Sequence, residues 1–168
     1  NQSTYTTCIY GSNIVVGFIH IANLEADLAQ RIVSEREQNG NYQSLADFTH
    51  RINIGIEQLI VLIRINAFRF TGKPKVTLLW EAHALLDRRK PETPNGTLLH
   101  IPEKEFHLPQ LEETTIEDVF DEIELLGFPV TTTWFDLLKT SFRGGPKARE
   151  LPNLVGQTVK TLGLLVHI

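Results

Sequence analysis

A run of residues near the start of the chain has the make-up of a turn that offers its backbone to an anion. It reads Gly17-Phe18-Ile19-His20-Ile21-Ala22-Asn23-Leu24-Glu25 and leads directly into an amphipathic stretch. In a helix–hairpin–helix unit such a turn carries glycines, because N–H groups can then face a phosphate without a Cβ in the way. Asn23 and Glu25 stand at the glycine positions here, and a carboxylate repels phosphate.

Other chemistry is poorly supported by the sequence. The six histidines show no metal-ligand spacing, and there is no glycine-rich phosphate loop or nucleophile–base arrangement. Four acidic residues from 118 to 124 could suggest a two-metal site, but on one helix they are better explained as its solvated face. The sequence therefore predicts no catalytic residue, no metal site and no cofactor within this chain.

Charge is distributed unevenly along the 168 residues. Residues 1–91 hold 10 basic and 8 acidic side chains, residues 92–126 hold 1 and 10, and residues 127–168 hold 5 and 2. DNA affinity depends on Lys and Arg neutralising phosphates. Any DNA-facing surface must therefore come from the first or last part of the chain.

Composition is that of a globular chain with one medium domain or two small ones. Cys8 is the single cysteine, which excludes an internal disulfide and a multi-cysteine metal site. No apolar run reaches the length of about 18 residues that a membrane span needs. We expect a cytoplasmic protein with no membrane partner.

Apolar spacing and capping residues predict five helices. The first covers Ala26 to Asn39, with Asn23 as its cap and Gly40 as its end, and Ser44 with Asp47 begins the second. A third is buried around residues 56–63, and a fourth follows Pro74. The fifth runs from Thr115 to Gly127 with these residues predicted to face inward: Ile116, Val119, Phe120, Ile123 and Leu126.

The remaining segments are predicted to be non-helical. Residues 1–20 are expected to be an extended lead-in, and residues 91–114, with four prolines, a surface loop or linker. Apolar residues alternate from Leu162 to Ile168, which predicts a β-strand. Since a lone strand has no partner, we expect the chain to be a fragment of a longer protein that ends just inside another domain.

Four sequence blocks, in order, resemble the alpha subunit of bacterial DNA polymerase III, the C-family replicative polymerase. The first is the run from Gly17 to Glu25 with Ala29 and Ile32, and the second extends from Glu35 to Arg51. The third is Leu62-Ile63 followed by Asn66-Ala67-Phe68-Arg69, with Arg69 where the family has aspartate. The fourth, Asp121 to Pro129, is similar to the family's entry to an OB-fold, and residues 154–159 are similar to its first strand.

The resemblance implies a mainly α fold: a tandem helix–hairpin–helix domain with a C-terminal segment that enters an OB-fold by its first strand only. It divides the chain into a lead-in from the fingers domain (1–20), the tandem domain (21–90), a linker (91–114), a helical connector (115–150) and the start of the OB-fold strand (151–168).

The resemblance also implies two binding sites. DNA contact, by backbone or side chain, is expected at Ala22, Asn23, Leu24, Glu25, Asn66, Lys73 and Lys75. The family's clamp-binding peptide is matched by Asn95, Leu98 and Leu99, although this apolar pair could instead pack on the domain's own core. Arg31, Arg36 and Arg64 are further phosphate candidates or solvated surface charges, and Arg36 and Arg51 could pair with Glu35 or Asp47.

By the same resemblance, the longer protein is a DNA-directed DNA polymerase, a nucleotidyltransferase whose Mg²⁺ belongs to a palm domain outside this sequence. This region would position primer–template duplex and tether the enzyme to the sliding clamp during DNA replication, beside other replicase subunits. The alternative is a structural or protein-interaction spacer between fingers and OB-fold that has lost DNA binding, as in an error-prone repair paralogue.

Overall fold

Helices form most of the first of two units into which the chain divides, Asn1–Phe128 and Pro129–Ile168. This computed structural model describes residues 1–87 and 115–165. A short antiparallel hairpin comes first, from β1 (Cys8–Tyr10) and β2 (Asn13–Val15). The helices are α1 (Ala26–Asn39), α2 (Leu45–Arg51), α3 (Ile56–Arg64), α4 (Lys75–Asp87) and α5 (Thr115–Leu126). The predicted mainly α fold is confirmed.

The buried core of this unit draws on α1 to α4, because each has apolar residues at helical spacing. These buried side chains form one cluster that includes Leu28, Ile32, Leu45, Phe48, Leu59, Leu62, Ile63, Phe68, Leu78 and Ala82. Three rings meet edge to face within it: Tyr42 with Phe48, and Phe48 with Phe68, at centroid distances of 4.9 and 5.0 Å. The rings join α2 to the loop that follows α3.

The predicted bounds of α1 are confirmed, but its predicted cap is wrong. Glu25 occupies the N-cap position and makes no side-chain cap, whereas Asn23 lies two residues earlier in the left-handed conformation, with φ of 63°. Asparagine favours both roles, since its side chain caps helices and its backbone tolerates positive φ. In the turn that precedes α1, Asn23 supplies the residue with positive φ and does not cap the helix.

The predicted start of α2 is confirmed. The Ser44 hydroxyl accepts from the Asp47 N–H at 3.0 Å, and the Asp47 carboxylate accepts from the Gln43 N–H at 3.0 Å. Two N–H groups at the start of the helix therefore have side-chain partners.

Arg51 links α2 to the end of α1. Its guanidinium pairs with Glu35 at 3.1 Å and with Asp47 at 3.4 Å. It also donates to the carbonyls of Glu35 and Gly40 and lies 4.4 Å from the Tyr42 ring centroid. Hydrogen bonds from Asn39 and Arg51 lower the pKa of Glu35. The expected pairing holds for Arg51, whereas Arg36 donates to the Ser3 carbonyl at 2.7 Å instead.

The predicted inward face of α5 is confirmed only in part: Ile123 and Leu126 are half-buried, and Leu126 packs against the core. Val119 is buried as predicted, but Ile116 and Phe120 are 55% and 65% exposed, and the other buried residues of the helix are Glu122 and Leu125. The helix turns acidic side chains toward α3 and α4, where Arg64 and Lys75 lie. Pairing with these cations, rather than apolar periodicity alone, sets its orientation.

The second unit contains no strand in its described part. Residues 148–154 form a 3-10 helix, Ala148–Leu154, and residues 155–165 make no strand pairing. The strand predicted for 151–168 is therefore not formed over 151–165, and the connector predicted for 115–150 is helical only to Leu126 and from Ala148. A strand needs a neighbour for its backbone groups, and the described residues of this unit supply none.

The lead-in is more ordered than the sequence predicts. The β1–β2 turn uses Gly11 at φ of 61°, and the N–H groups of Phe18 and Ile19 donate to the carbonyls of Thr4 and Tyr5. Residues 1–20 therefore pack within the first unit. No helix in the described ranges is long and apolar enough to cross a membrane.

We expect Tyr42→Phe to lower the free energy of unfolding by about 1 kcal/mol, because the buried hydroxyl donates to the Ile32 carbonyl at 2.8 Å. Burial raises the pKa of Tyr42 to about 12, so this contribution is present below pH 10 and is lost as the pH rises through 12. Thermal unfolding at pH 8 and 11 checks both points. Tyr10→Phe, at an exposed site, is the control, and equal effects of the two variants would contradict the assignment.

Candidate nucleic-acid interface

The first hairpin, residues 21–25, joins a 3-10 turn to α1. The turn Phe18–His20 ends where the Ile21 N–H donates to the Phe18 carbonyl at 3.0 Å. Asn23 then takes the left-handed conformation, and α1 begins three residues later. The predicted DNA-contact residues Ala22, Asn23 and Glu25 are exposed here, and Leu24 is half-buried.

Backbone groups of this hairpin are already bonded within the protein. The Ala22 N–H donates to the Leu125 carbonyl of α5 at 2.7 Å. The Gln58 side chain accepts from the Glu25 N–H at 3.0 Å and donates to the Asn23 carbonyl at 2.8 Å. Among the four N–H groups from 22 to 25, that of Asn23 has no acceptor in the described ranges. The hairpin itself therefore offers a phosphate little free backbone. The first turn of α1 keeps three N–H groups, from Ala26 to Leu28, without an acceptor in the described ranges, since its first helical bond runs from the Ala29 N–H to the Glu25 carbonyl at 3.0 Å.

The second hairpin, residues 65–74, begins with the end of α3. Asn66 has φ of 59°, its N–H donates to the Ile63 carbonyl, and the Ala67 N–H donates to the Leu62 carbonyl. This pair of bonds is the Schellman arrangement that ends many helices at a left-handed residue. Asn66, a predicted DNA contact, is thus placed by its role in ending α3.

A second left-handed residue in this hairpin escaped the sequence prediction. Gly72 follows the 3-10 turn Arg69–Thr71 with φ of 68°, three residues before α4 begins. Asn23 holds the same position before α1, so both helices are entered through a left-handed residue, although the preceding 3-10 turn ends three residues before Asn23 and directly before Gly72. The sequence signal for this left-handed residue was a glycine two residues before Pro74. Glycines near prolines are common in ordinary loops, so this signal does not by itself indicate a site.

The two entrances differ in charge. The residues between the left-handed position and the helix are Leu24 and Glu25 in the first hairpin and Lys73 and Pro74 in the second. A phosphate approaching α1 therefore meets a carboxylate, whereas one approaching α4 meets an ammonium group.

The start of α4 has free backbone donors. The first helical bond runs from the Leu78 N–H to the Pro74 carbonyl at 3.1 Å. The N–H groups of Lys75, Val76 and Thr77 have no acceptor in the described part of the chain. Unpaired N–H groups at a helix start, together with the helix dipole, attract anions.

Two cations, at positions 69 and 73, precede this helix start along the chain. Arg69 is exposed, and its side chain has no hydrogen-bond or ion-pair partner among the described residues. Lys73 pairs with Glu81 at 2.5 Å, and its side chain is 45% exposed. Sequence reasoning named Lys73 but not Arg69, although Arg69 stands where the family block has aspartate.

Lys75 and Arg64 are held by α5 instead. The Lys75 ammonium lies 2.6 Å from Asp118 and 3.4 Å from Asp121. The Arg64 guanidinium lies 2.6 Å from Asp121 and 2.5 Å from Glu124. Hydrogen bonds to Glu124 and Asp121 raise the pKa of Arg64.

The other predicted site residues are separate from both hairpins or lie outside the description. Arg31 is exposed on α1 and has no described partner. Asn95, Leu98 and Leu99, the predicted clamp-binding residues, lie outside the described residues. Within the described ranges, no group of three or more His, Cys, Asp or Glu side chains could hold a metal ion.

Comparison with known proteins agrees with this geometry. Residues 1–78 match a family described as the helix-hairpin-helix motif. Over 93 residues, 55% of the chain, the sequence is 32% identical to an error-prone DNA polymerase of Mycolicibacterium paratuberculosis. The chain is thus similar to the helix-hairpin-helix motif over its first 78 residues and to error-prone DNA polymerases over 93 residues. The same identity and coverage are found with the error-prone DNA polymerases of Mycobacterium bovis and Mycobacterium tuberculosis.

The region is a small part of those relatives. The matched stretch covers 8% of the length of each polymerase. The resemblance first seen in the sequence blocks is confirmed, and the polymerases it matches are error-prone ones.

We expect Asn23→Ala to lower the free energy of unfolding by about 1–2 kcal/mol, because alanine tolerates the left-handed conformation poorly. Asn23→Gly should stay within about 1 kcal/mol of the unmodified chain, since glycine adopts positive φ without a Cβ clash. Urea unfolding measures both. Asn53→Ala, an exposed site with ordinary φ, controls for loss of the amide. Equal stability of the two variants at Asn23 would contradict the role of this residue.

Proposed function

We propose that this region binds the backbone of duplex DNA for a DNA polymerase, through the second hairpin and the start of α4, and has no catalytic role of its own. The observation that carries this proposal is the pair of matched helix entrances, of which only the second has cationic side chains. Glycine at the left-handed position, three free N–H groups, Arg69 and Lys73 form a site that suits a phosphate.

The existing contact of Lys73 does not oppose this role. Its partner Glu81 forms a partly exposed ion pair, and such pairs contribute only about 0–1 kcal/mol. A phosphate can therefore replace the carboxylate at little cost. The Arg69 guanidinium needs no such exchange.

The first hairpin would play a smaller part. Its predicted contacts at Ala22 and Glu25 have N–H groups that donate to Leu125 and Gln58. The exposed Glu25 carboxylate also disfavours a phosphate nearby. We therefore assign the first hairpin mainly to the packing of α1 against α3 and α5.

The relatives' names support the wider setting. They are error-prone DNA polymerases, so we propose that the region belongs to a DNA-directed DNA polymerase of this type that works on primer–template duplex in the cytoplasm. Mg²⁺ would be held by a palm domain outside these residues. Tethering to a sliding clamp through Asn95, Leu98 and Leu99, and contact with other replicase subunits, are proposals that rest on resemblance alone.

A second candidate function is a spacer that has lost DNA binding. The ion pairs that α5 makes with Arg64 and Lys75 favour it, because they remove two cations from the surface. The exposed pair at the second hairpin, Arg69 and Lys73, favours the DNA-binding proposal.

Duplex binding measured against salt separates these functions. Each phosphate contact contributes about −0.9 to the slope of log affinity against log salt. We expect the double variant Arg69→Gln with Lys73→Gln to bind more weakly and to reduce the slope by about 1.8. Fluorescence anisotropy with a short labelled duplex provides the measurement.

The matched control is Lys139→Gln with Arg149→Gln, which removes the same charge from two exposed residues, of which Lys139 has no described partner and Arg149 pairs only with Glu150, at 4.0 Å. It should leave the slope near that of the unmodified chain. A slope near zero for the unmodified chain would favour the spacer, whereas an equal loss in both double variants would reject the second hairpin as the DNA site.

A further inference from the structure

Helix α5 presents a row of anionic groups to the hairpin domain. Asp118, Asp121 and Glu124 are spaced three residues apart and pair with Lys75 and Arg64. Just beyond this row, the Leu125 carbonyl accepts from the Ala22 N–H of the first hairpin. The last carbonyls of a helix have no partner within it and carry partial negative charge. A chain of acceptors therefore covers two cations and one hairpin N–H.

The row of acidic groups on α5 is similar in length and charge to a short stretch of a DNA strand. Residues 118 to 125 extend over about 10 Å of helix axis. One DNA strand places a phosphate about every 3.4 Å along the duplex axis, so the same length holds about three phosphates. The carboxylates of α5 thus provide a similar number of negative charges over a similar distance.

The contact that α5 makes combines an apolar part, where Val119 and Leu125 are buried, with a polar edge whose outer carboxylates are open to competition. Asp118 and Glu124 have side chains that are 44% and 65% exposed while paired. Ile116 and Phe120, which would strengthen an apolar contact, are exposed instead. Salt and added anions screen such exposed pairs.

We propose that Arg64 and Lys75 form a second phosphate site that the carboxylates of α5 occupy in the free chain, and that duplex DNA replaces these carboxylates with its own phosphates. This inference rests on the proposed function, because it assumes that duplex DNA reaches the second hairpin. Lys75 begins α4, immediately after Lys73 and Pro74, so the two phosphate sites are adjacent along the chain. DNA bound at Arg69 and Lys73 would therefore bring further phosphates close to the paired cations.

The test is the salt dependence of duplex binding by the triple variant Asp118→Asn, Asp121→Asn, Glu124→Gln. Freeing Arg64 and Lys75 should increase the slope by about 1.8, which corresponds to about a twelve-fold larger loss of affinity between 50 and 200 mM salt. Adding Arg64→Gln and Lys75→Gln to the triple variant should remove this gain. In the otherwise unmodified chain, the same two substitutions should change the slope less, because the cations are already paired.

The matched control is Glu37→Gln, Glu57→Gln, Glu117→Gln, which removes three exposed carboxylates that have no described partner. Circular dichroism verifies that every variant keeps its helices. An equal gain in both triple variants, or no gain in the first, would overturn the second phosphate site. A different result would contradict the proposed function itself: the salt slope of the unmodified chain would be the same with and without Arg69→Gln and Lys73→Gln.

Discussion

The carboxylate of Asp121 accepts from both Arg64 at the end of α3 and Lys75 at the start of α4. These two residues enclose the second hairpin, so one side chain of α5 fixes the ends of the loop on which the proposed DNA contact depends. The same docking brings the Leu125 carbonyl to the first hairpin. Helix α5 is therefore the element that connects the two hairpins and decides which of their polar groups stay available.

The two helix entrances of this domain share a left-handed backbone residue but differ in surface charge. Asn23 and Gly72 are both left-handed, and each precedes a helix by three residues. The groups around them differ, because Gln58 and Glu25 close the first entrance while Arg69 and Lys73 leave the second open to anions. A chain can thus keep the fold of a phosphate-binding turn after its surface has changed, because core packing and hydrogen bonding maintain the backbone.

Local signals predicted the helices well. The bounds of α1 and the Ser44–Asp47 start of α2 follow from apolar spacing and capping chemistry, both of which act within a few residues. The orientation of α5 was predicted only in part, because apolar periodicity places Ile116 and Phe120 inward and takes no account of distant partners such as Arg64. The strand predicted after residue 151 failed for a related reason, since a strand requires a neighbour that local pattern cannot supply.

The candidate site was predicted only in part. The sequence and its resemblance indicated the first hairpin, Asn66, Lys73 and Lys75, but not that α5 would hold Lys75 or that Arg69 would be exposed. The pairs that hold Lys75 and Arg64 join residues more than 40 positions apart. Such contacts leave no trace in spacing or composition.

Backbone amide signals in the NMR spectrum, recorded with and without a short duplex, test directly whether the second hairpin carries the DNA contact. Binding there should shift the amide signals of Gly72, Lys73 and Lys75 to Thr77, and leave those of Asn23 and Glu25 nearly unchanged. The largest shifts at Asn23 to Ala26, with no change at the start of α4, would contradict the assignment.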